Sequence, residues 1–195
     1  MNSEHIKGKL IVFSAPSGSG KTTVVRKLME DPNLKLAFSI SATTRPSREN
    51  ETNGHDYFFL DPDTFRAKIA ADEFLEWEEV YDDRFYGSLI SETEKMLAEG
   101  KNVAFDIDIA GGFSIKKQYG KEALLLFLKP PSLEVLEERL RKRGTDSEAD
   151  ILTRLGKAEK ELSFSDRYDV VIINDDLDVA VEQTRSVILS FLGRD

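Results

Sequence analysis

A glycine-rich loop between a predicted strand and a predicted helix contains the strongest chemical pattern in the sequence. The apolar residues 10–13 precede the run Ala15-Pro-Ser-Gly-Ser-Gly-Lys-Thr22, here called the phosphate loop. The run matches G-x-x-x-x-G-K-S/T except that Ala15 stands at the first glycine, a position that needs a small residue. Gly18 and Gly20 permit the backbone angles that turn successive N–H groups toward an anion. The pattern therefore predicts a nucleoside triphosphate site.

Two side chains of the loop have specific expected roles. Lys21 is expected to reach the β- and γ-phosphates, and the Thr22 hydroxyl to ligate Mg²⁺. A glycine-rich turn that binds nothing is the alternative. It is disfavoured because the loop, the Lys-Thr pair and the strand–loop–helix context all agree.

A second candidate metal residue ends an apolar run. Asp106 closes Val103-Ala-Phe-Asp106, a hydrophobic run followed by an acid, as in a Walker B strand. A carboxylate there can hold the hydration shell of Mg²⁺, so Asp106 is predicted to contact the metal through water. The alternative is a strand-end aspartate that caps the next turn.

Arginines after residue 138 indicate further handling of phosphate. No acid lies three or four residues from Arg139 along its predicted helix, and Arg143 lies one turn away. Two stacked like charges cost roughly 0.2–0.5 kcal/mol unless an anion bridges them. With Arg154, they suit a mobile lid that closes on transferred phosphates. A solvated surface is the alternative.

The segment 41–89, here called the inserted segment, contains an acceptor pattern. Arg45 and Arg48 are three residues apart, and Pro46 prevents a helix there. Two guanidinium groups can hold a phosphate monoester, and Tyr57 and Tyr86 offer hydroxyl donors.

Glu76 is a candidate base reader within the same segment. Bulky apolar residues flank it, so its carboxylate is predicted to face a pocket. A carboxylate suits guanine, whose N1–H and 2-amino group are adjacent donors, whereas adenine offers no such pair. Taken singly, each residue of this pattern is more typical of a surface position than of a ligand contact.

Composition excludes several classes of protein. The 195 residues have a net charge of −9, no cysteine and two histidines, His5 and His55. Disulfides, zinc ribbons, thiolate chemistry and histidine metal clusters are therefore excluded. The acidic balance argues against general binding of nucleic acid. The longest apolar run has six residues and residues 1–8 are polar, so we expect a cytoplasmic protein without a membrane span.

Strand and helix patterns alternate along the chain. Strands are predicted at 10–13, 38–40, 103–107, 124–128 and 170–173, and helices at 22–30, 62–71, 88–99, 132–143, 147–162 and 177–192. Apolar strands that alternate with helices predict an α/β fold, a parallel-sheet phosphate-loop NTPase core with helices on both faces. The more polar inserted segment is expected to lie outside that core.

Taken together, the motifs resemble the guanylate kinase family. The resemblance covers about residues 10–178. The matching blocks are Ser-Ala-Pro-Ser-Gly-Ser-Gly-Lys-Thr (14–22), Ser-Ile-Ser-Ala-Thr-Thr-Arg-Pro-Ser-Arg (39–48), Asn-Gly-His-Asp-Tyr-Phe-Phe (53–59), Phe-Leu-Glu-Trp (74–77), Tyr-Gly-Ser (86–88), Asp-Ile-Asp (106–108), Arg-Gly-Thr (143–145) and Asn-Asp-Asp-Leu (174–177). Ala110 and Phe85 depart from the family pattern, where glutamine and tyrosine are common.

The resemblance implies transfer of the γ-phosphoryl group of ATP to GMP, and also to dGMP, with Mg²⁺. It implies a core (about 8–40, 90–135 and 163–195), a GMP-binding insertion (41–89) and a helical lid (136–162). The implied ATP residues are Ala15, Pro16, Ser17, Gly18, Ser19, Gly20, Lys21, Thr22, Thr23 and Asn174, the last near adenine. The implied GMP residues are Ser41, Glu76, Ser88 and Asp108 at the base and Arg45, Arg48, Tyr57 and Tyr86 at the phosphate, with Gly87 as a further GMP residue. The implied catalytic residues are Lys21, Arg45, Arg139, Arg143 and Arg154.

Other functions fit the sequence less well. A regulatory GTPase would need an Asn-Lys-x-Asp motif, which is absent, and the match of residues 108–111 to D-x-x-G is short. A kinase of the same architecture with another small acceptor is one rival, against which Glu76 and Asp108 argue. A non-catalytic interaction module is the other, against which the intact phosphate loop argues. A monomer or homodimer is expected.

Overall fold

The computed structural model describes residues 7–144 and 146–194. The strands are β1 (Leu10–Ser14), β2 (Leu36–Phe38), β3 (Ala42–Thr43), β4 (Phe58–Phe59), β5 (Phe74–Tyr81), β6 (Arg84–Leu89), β7 (Asn102–Asp106), β8 (Ala123–Lys129) and β9 (Val170–Ile173). The helices are α1 (Lys21–Met29), α2 (Pro62–Ala70), α3 (Ile90–Ala98), α4 (Ile109–Tyr119), α5 (Leu133–Arg143), α6 (Glu148–Leu162) and α7 (Leu177–Leu192), with short 3₁₀ turns at Gly120–Glu122 and Ser165–Arg167. Thr145 of the Arg-Gly-Thr block and the polar residues 1–6 lie outside the described residues.

The central sheet is parallel and is covered on both faces. Its strand order is β2-β7-β1-β8-β9. Apolar side chains of α1 and α7 pack on one face, around Ile11 and Phe13. Side chains of α3 and α4 pack on the other face, around Val12 and Phe105. Strands covered on both sides lack an alternating pattern, which explains the continuous apolar runs of β1, β7 and β8. The edge strand β9 is equally apolar but exposes Val171 and Ile173. The predicted α/β core is confirmed.

The direction of the strands gathers the candidate residues at one edge. Because all five strands run the same way, their carboxyl ends meet at a single edge of the sheet. The phosphate loop follows β1 there, Asp106 ends β7, and Asn174 follows β9.

The inserted segment forms its own small sheet, with strand order β4-β3-β6-β5. Helix α2 packs on it through Phe65, whose ring stacks on Phe74 at 4.3 Å and on Phe85 at 5.3 Å between centroids. Phe85, one of the two departures from the family pattern, is thus a buried core residue. Strands of two residues carry no readable alternation, and the sequence pattern did not predict this sheet.

Two predicted boundaries were wrong, and one helix was not predicted. The strand expected at 38–40 lies at Leu36–Phe38, because Leu36 already pairs with Asn102 of β7. The helix expected from residue 88 begins at Ile90, because Ser88 still pairs with Glu76 in the small sheet. Helix α4 was not predicted, and it includes Ala110, the other departure from the family pattern.

The missed helix contains two glycines, which usually lower the helical signal. Both allow close packing. A Cβ on Gly112 would lie 3.2 Å from Val12, and a Cβ on Gly111 would lie 3.1 Å from Asp108 Oδ1. No helix in the described part of the chain is long and apolar enough to cross a membrane.

Candidate functional site

The phosphate loop wraps the start of helix α1. Gly18 and Gly20 have φ angles of 93° and 84°, which L-residues with a side chain rarely adopt. Gly20 caps the helix in the left-handed conformation, and its carbonyl accepts from the N–H of Thr23 at 3.1 Å. The loop is thus a turn into a helix N-terminus, where N–H groups and the helix dipole favour an anion.

A cavity of about 740 Å³ lies in front of the loop. It is lined by the loop residues Ala15, Pro16, Ser17, Gly18, Gly20, Lys21, Thr22 and Thr23, by the strand-end residues Asp106 and Asp108, and by Arg143, Lys157 and Glu161 from α5 and α6. A space of this size fits a nucleotide-sized ligand.

Lys21 forms an ion pair with Asp106 across this cavity. The Asp106 side chain is 36% exposed, so the pair borders the open space. No group of three or more His, Cys, Asp or Glu side chains in the described residues could bind a metal unaided.

Two of the three predicted lid arginines border the loop cavity or the phosphate loop itself. Arg143 lines the cavity. Arg154 Nη1 donates to Ser17 Oγ at 2.6 Å, and its Nη2 lies 3.3 Å from Asp146 Oδ1. Arg154 therefore joins helix α6 to the phosphate loop.

The third arginine has a different environment. Arg139 donates from Nη1 to the carbonyl of Asn174 at 2.8 Å and from Nη2 to that of Asp175 at 3.1 Å. These carbonyls offset the repulsion from Arg143. Helical spacing does not reveal these two partners of Arg139, because they lie 35 and 36 residues further along the chain.

Sequence reasoning also missed two cavity residues on helix α6. Lys157 and Glu161 follow Arg154 by three and seven residues, so the three side chains share one helix face. This spacing from Arg154 could have identified Lys157 and Glu161 from the sequence. Burial raises the pKa of Glu161, while the positive charges of Lys157 and Lys21 oppose the rise.

The predicted phosphate-binding residues of the inserted segment lie close together around Glu51. Arg45 donates from Nη1 and Nη2 to Glu51 at 2.6 and 2.5 Å, and the N–H of Arg48 donates to Glu51 Oε2 at 2.9 Å. The Arg45 guanidinium lies 4.9 Å from the ring centre of Tyr57, which is 6.2 Å from that of Tyr86. We call Arg45, Arg48, Tyr57 and Tyr86 the phosphate clamp.

Glu51 was not predicted as a site residue. Its hydrogen bonds with Arg45 and with the N–H of Arg48 hold its pKa at about 2. An acid six residues after Arg45 in an irregular loop follows no periodic spacing, so the sequence offered no clear signal for it.

Glu76 and Asp108 bring two carboxylates together. Glu76 Oε1 accepts from Ser88 Oγ at 2.7 Å, and Asp108 Oδ1 accepts from the N–H of Gly111 at the start of α4 at 2.8 Å. A Cβ on Gly111 would lie 3.1 Å from Asp108 Oδ1 and 3.2 Å from Glu76 Oε2, so both acids border this glycine. Burial, followed by the charge of Asp108, raises the pKa of Glu76, whereas the bond from Ser88 lowers it.

Ser41 and Gly87 are the remaining predicted residues of the acceptor site. Ser41 and Tyr57 line a smaller cavity of about 230 Å³ that shares Asp106 and Ile107 with the larger one. Gly87 lies in β6, where a Cβ would come within 2.8 Å of the backbone oxygen of Glu76. Asp106 thus stands where the space before the phosphate loop meets the space beside the clamp.

These features define a class. A parallel sheet with a phosphate loop after its first strand, together with a small inserted sheet, defines an α/β protein of the phosphate-loop class. A family model described as guanylate kinase matches residues 7–190.

Individual relatives agree with the family model. The chain is 56% identical over 189 residues to a guanylate kinase of Bacteroides fragilis, covering 97% of this chain and 92% of the relative. It is 53% identical over 186 residues to one of Porphyromonas gingivalis, covering 95% and 99%. A crystal structure of guanylate kinase from Anaplasma phagocytophilum superposes with a TM-score of 0.70 at 29% identity, covering 95% of this chain and 86% of that chain. The chain belongs to the guanylate kinase family.

The buried carboxylate predicts a pH-dependent stability difference. We expect Glu76→Gln to raise the free energy of unfolding at about pH 7.5, because ionising Glu76 is less favourable in the folded than in the unfolded chain. A raised folded pKa stabilises the fold only at low pH, and that contribution is lost as the pH rises through the folded pKa. The gain should therefore shrink as the pH falls toward about 4.5.

Urea unfolding across this pH range measures the difference. Glu78→Gln, on the same strand with an exposed side chain, is the control. The charge of Glu78 makes only a smaller contribution to the raised pKa of Glu76, so this change should alter stability much less. A destabilised Glu76→Gln at neutral pH, or a gain that does not depend on pH, contradicts the assignment.

Proposed function

We propose that this protein transfers the γ-phosphoryl group of ATP to the phosphate of GMP, giving ADP and GDP. Membership of the guanylate kinase family supports this activity. The observation that carries it is the adjacency of two different sites at Asp106, where a cavity before the phosphate loop meets one beside the clamp. A phosphoryl group can then pass from one ligand to the other without leaving the protein.

The donor half would bind ATP through the phosphate loop. Backbone N–H groups of the loop and the N-terminus of α1 favour the β- and γ-phosphates. Lys21 would exchange its contact with Asp106 for phosphate oxygens. Arg143 and Arg154 would approach the same oxygens from the lid, since both already border the loop cavity or the loop itself.

The acceptor half would bind GMP across the inserted segment. The ionised carboxylate of Glu76 can accept from guanine N1–H and the 2-amino group, with Ser41, Ser88 and Asp108 as further base contacts. The phosphate clamp would hold the GMP phosphate. The proposed contacts go to base and phosphate, so dGMP is proposed as a second acceptor.

The chemistry needs no general base. The second pKa of a phosphate monoester is about 6, so GMP is largely a dianion at neutral pH. One of its oxygens attacks the γ-phosphorus in line, the new P–O bond forms, and the bond to the β-phosphate oxygen breaks with its electron pair leaving on ADP. The protein's contribution is alignment together with neutralisation of the transferred charge by Lys21 and the arginines.

Magnesium fits the donor half. Thr22 and Asp106 offer the hard oxygen ligands that Mg²⁺ prefers, and both line the loop cavity. Thr22 would hold the ion directly and Asp106 through water. Bound there, Mg²⁺ supplies further neutralisation of the ATP phosphates.

Movement of two parts would complete the site. The inserted segment (41–89) and the lid (136–162) are proposed to close over the core (8–40, 90–135 and 163–195). Closure would exclude water and so suppress hydrolysis of ATP. A cytoplasmic location, a monomeric or homodimeric state and the absence of nucleic-acid binding stay predictions.

A panel of acceptors tests the function. ADP release is measured in a coupled assay with GMP, dGMP, AMP, UMP, CMP and dTMP. We expect a strong preference for GMP, and a loss of about 100-fold in kcat/KM for GMP in Glu76→Gln, because a charged pair of hydrogen bonds to the base is weakened. Glu78→Gln should match the wild type. Turnover without a GMP preference rules out the acceptor assignment, and no turnover with any acceptor favours a non-catalytic module.

Glu51 predicts a second kinetic effect. Because its carboxylate fixes both the Arg45 guanidinium and the Arg48 N–H, Glu51→Gln should raise the KM for GMP about tenfold and leave the KM for ATP unchanged. Glu49→Gln, an exposed acid of the same loop, is the control. A lower KM for GMP in Glu51→Gln would instead mean that Glu51 competes with the phosphate for Arg45.

A further inference from the structure

Asn174 connects three separate parts of the protein. It follows β9 and is only 4% exposed. Its backbone N–H donates to the carbonyl of Lys129 at the end of β8, at 2.8 Å. Its side-chain Nδ2 donates to the backbone carbonyl of Ser19 in the phosphate loop, at 2.7 Å. The backbone carbonyl of Asn174 accepts from Arg139 Nη1 at 2.8 Å.

The contact with the phosphate loop requires an amide. The carbonyl of Ser19 can only accept, so the NH₂ end of Asn174 must face it, and an aspartate of the same shape could not replace it. Ser19 is fully buried, so water does not substitute readily for this donor.

The neighbouring glycine supports the same contact independently. A Cβ on Gly20 would lie 2.5 Å from Asn174 Nδ2. Gly20 also has a φ of 84° and caps helix α1. The side chain of Asn174 therefore packs against the residue whose left-handed conformation turns the loop into the helix.

Arg139 holds Asn174 from the other side. Its two terminal nitrogens donate to the successive carbonyls of Asn174 and Asp175, a charge-assisted pair of bonds that fixes this turn. The chain of contacts thus runs from helix α5 through Asn174 to the phosphate loop.

We propose that Asn174 is a positioning residue of the donor site, which keeps the phosphate loop in its anion-binding shape through the Ser19 carbonyl. Arg139 acts through Asn174 in the same role. This inference rests on the proposed use of the loop as the ATP site. It differs from a contact with adenine, because a residue that shapes the loop affects every polyphosphate equally, whatever base is attached.

Inorganic tripolyphosphate is the probe that separates the two roles, since it has no base. Isothermal titration calorimetry measures its binding and that of ATP to the wild type, Asn174→Ala and Asn174→Asp. We expect about a tenfold weaker affinity for both ligands in Asn174→Ala, with the KM for GMP unchanged. Asn174→Asp should lose at least as much, because it places a carboxylate against the Ser19 carbonyl.

Asn102 provides a matched control. It is also a buried asparagine, and it donates to the carbonyl of Leu34 at 2.6 Å and accepts from the N–H of Lys9 at 2.9 Å. It lies at the start of β7, the opposite edge of the sheet from the loop. Asn102→Ala should lower the melting temperature without weakening the binding of tripolyphosphate. This control therefore separates a general loss of stability from a specific effect on the phosphate loop.

Three results would overturn the inference. The first is an Asn174→Ala protein that binds tripolyphosphate normally but ATP more weakly, which would mean that Asn174 contacts the adenine base. The second is equal loss of affinity in Asn102→Ala, which would make the effect structural. The third is a wild type that does not bind tripolyphosphate. Failure of the proposed reaction is a separate observation, since a wild type that binds tripolyphosphate but does not phosphorylate GMP leaves the role of Asn174 testable.

Discussion

The site depends on pairing several positive charges, on the phosphate loop, the inserted segment and helix α6, with acids of the protein itself. Unpaired cations that are partly removed from water are unfavourable, so each needs a partner in the free protein. Lys21 pairs with Asp106, Arg45 with Glu51, and Arg154 with Asp146. These internal acids hold the cations in place before a ligand arrives. The net charge of −9 therefore describes the whole chain but not the site, where the acids serve as partners for a few cations.

At the proposed base site, two acids lie side by side without a cation between them in the described contacts. There Glu76 and Asp108 bring two carboxylates together with Ser88 as the hydrogen-bond donor to Glu76, and burial raises the pKa of Glu76. A carboxylate held in this way lacks donors that guanine can supply. Stability and recognition are then opposed at the same residue, which is expected where a site must be complete only with its ligand.

Local patterns predicted the parts of the fold that local forces determine. The phosphate loop, the apolar strand at Val170–Ile173 and the helix Leu177–Leu192 were all visible, because their signals lie within a few neighbouring residues. Helix α4 was missed because Gly111 and Gly112 satisfy tertiary packing at the expense of helix propensity. Glu51 and the partners of Arg139 were missed because such contacts are set by the folded chain and follow no sequence period.

Lys21 is the most direct test of the account, because its ammonium is proposed to pass from Asp106 to the transferred phosphates. The measurement is the rate of ADP formation from ATP and GMP by Lys21→Ala. Lys27→Ala is the control, because Lys27 lies on the same helix as Lys21 but is exposed and pairs with Asp178 of α7. We expect a loss of about 1,000-fold or more in kcat for Lys21→Ala with an unchanged fold by circular dichroism, and near-normal turnover in the control. A folded Lys21→Ala protein that retains more than about a tenth of the wild-type rate would contradict it.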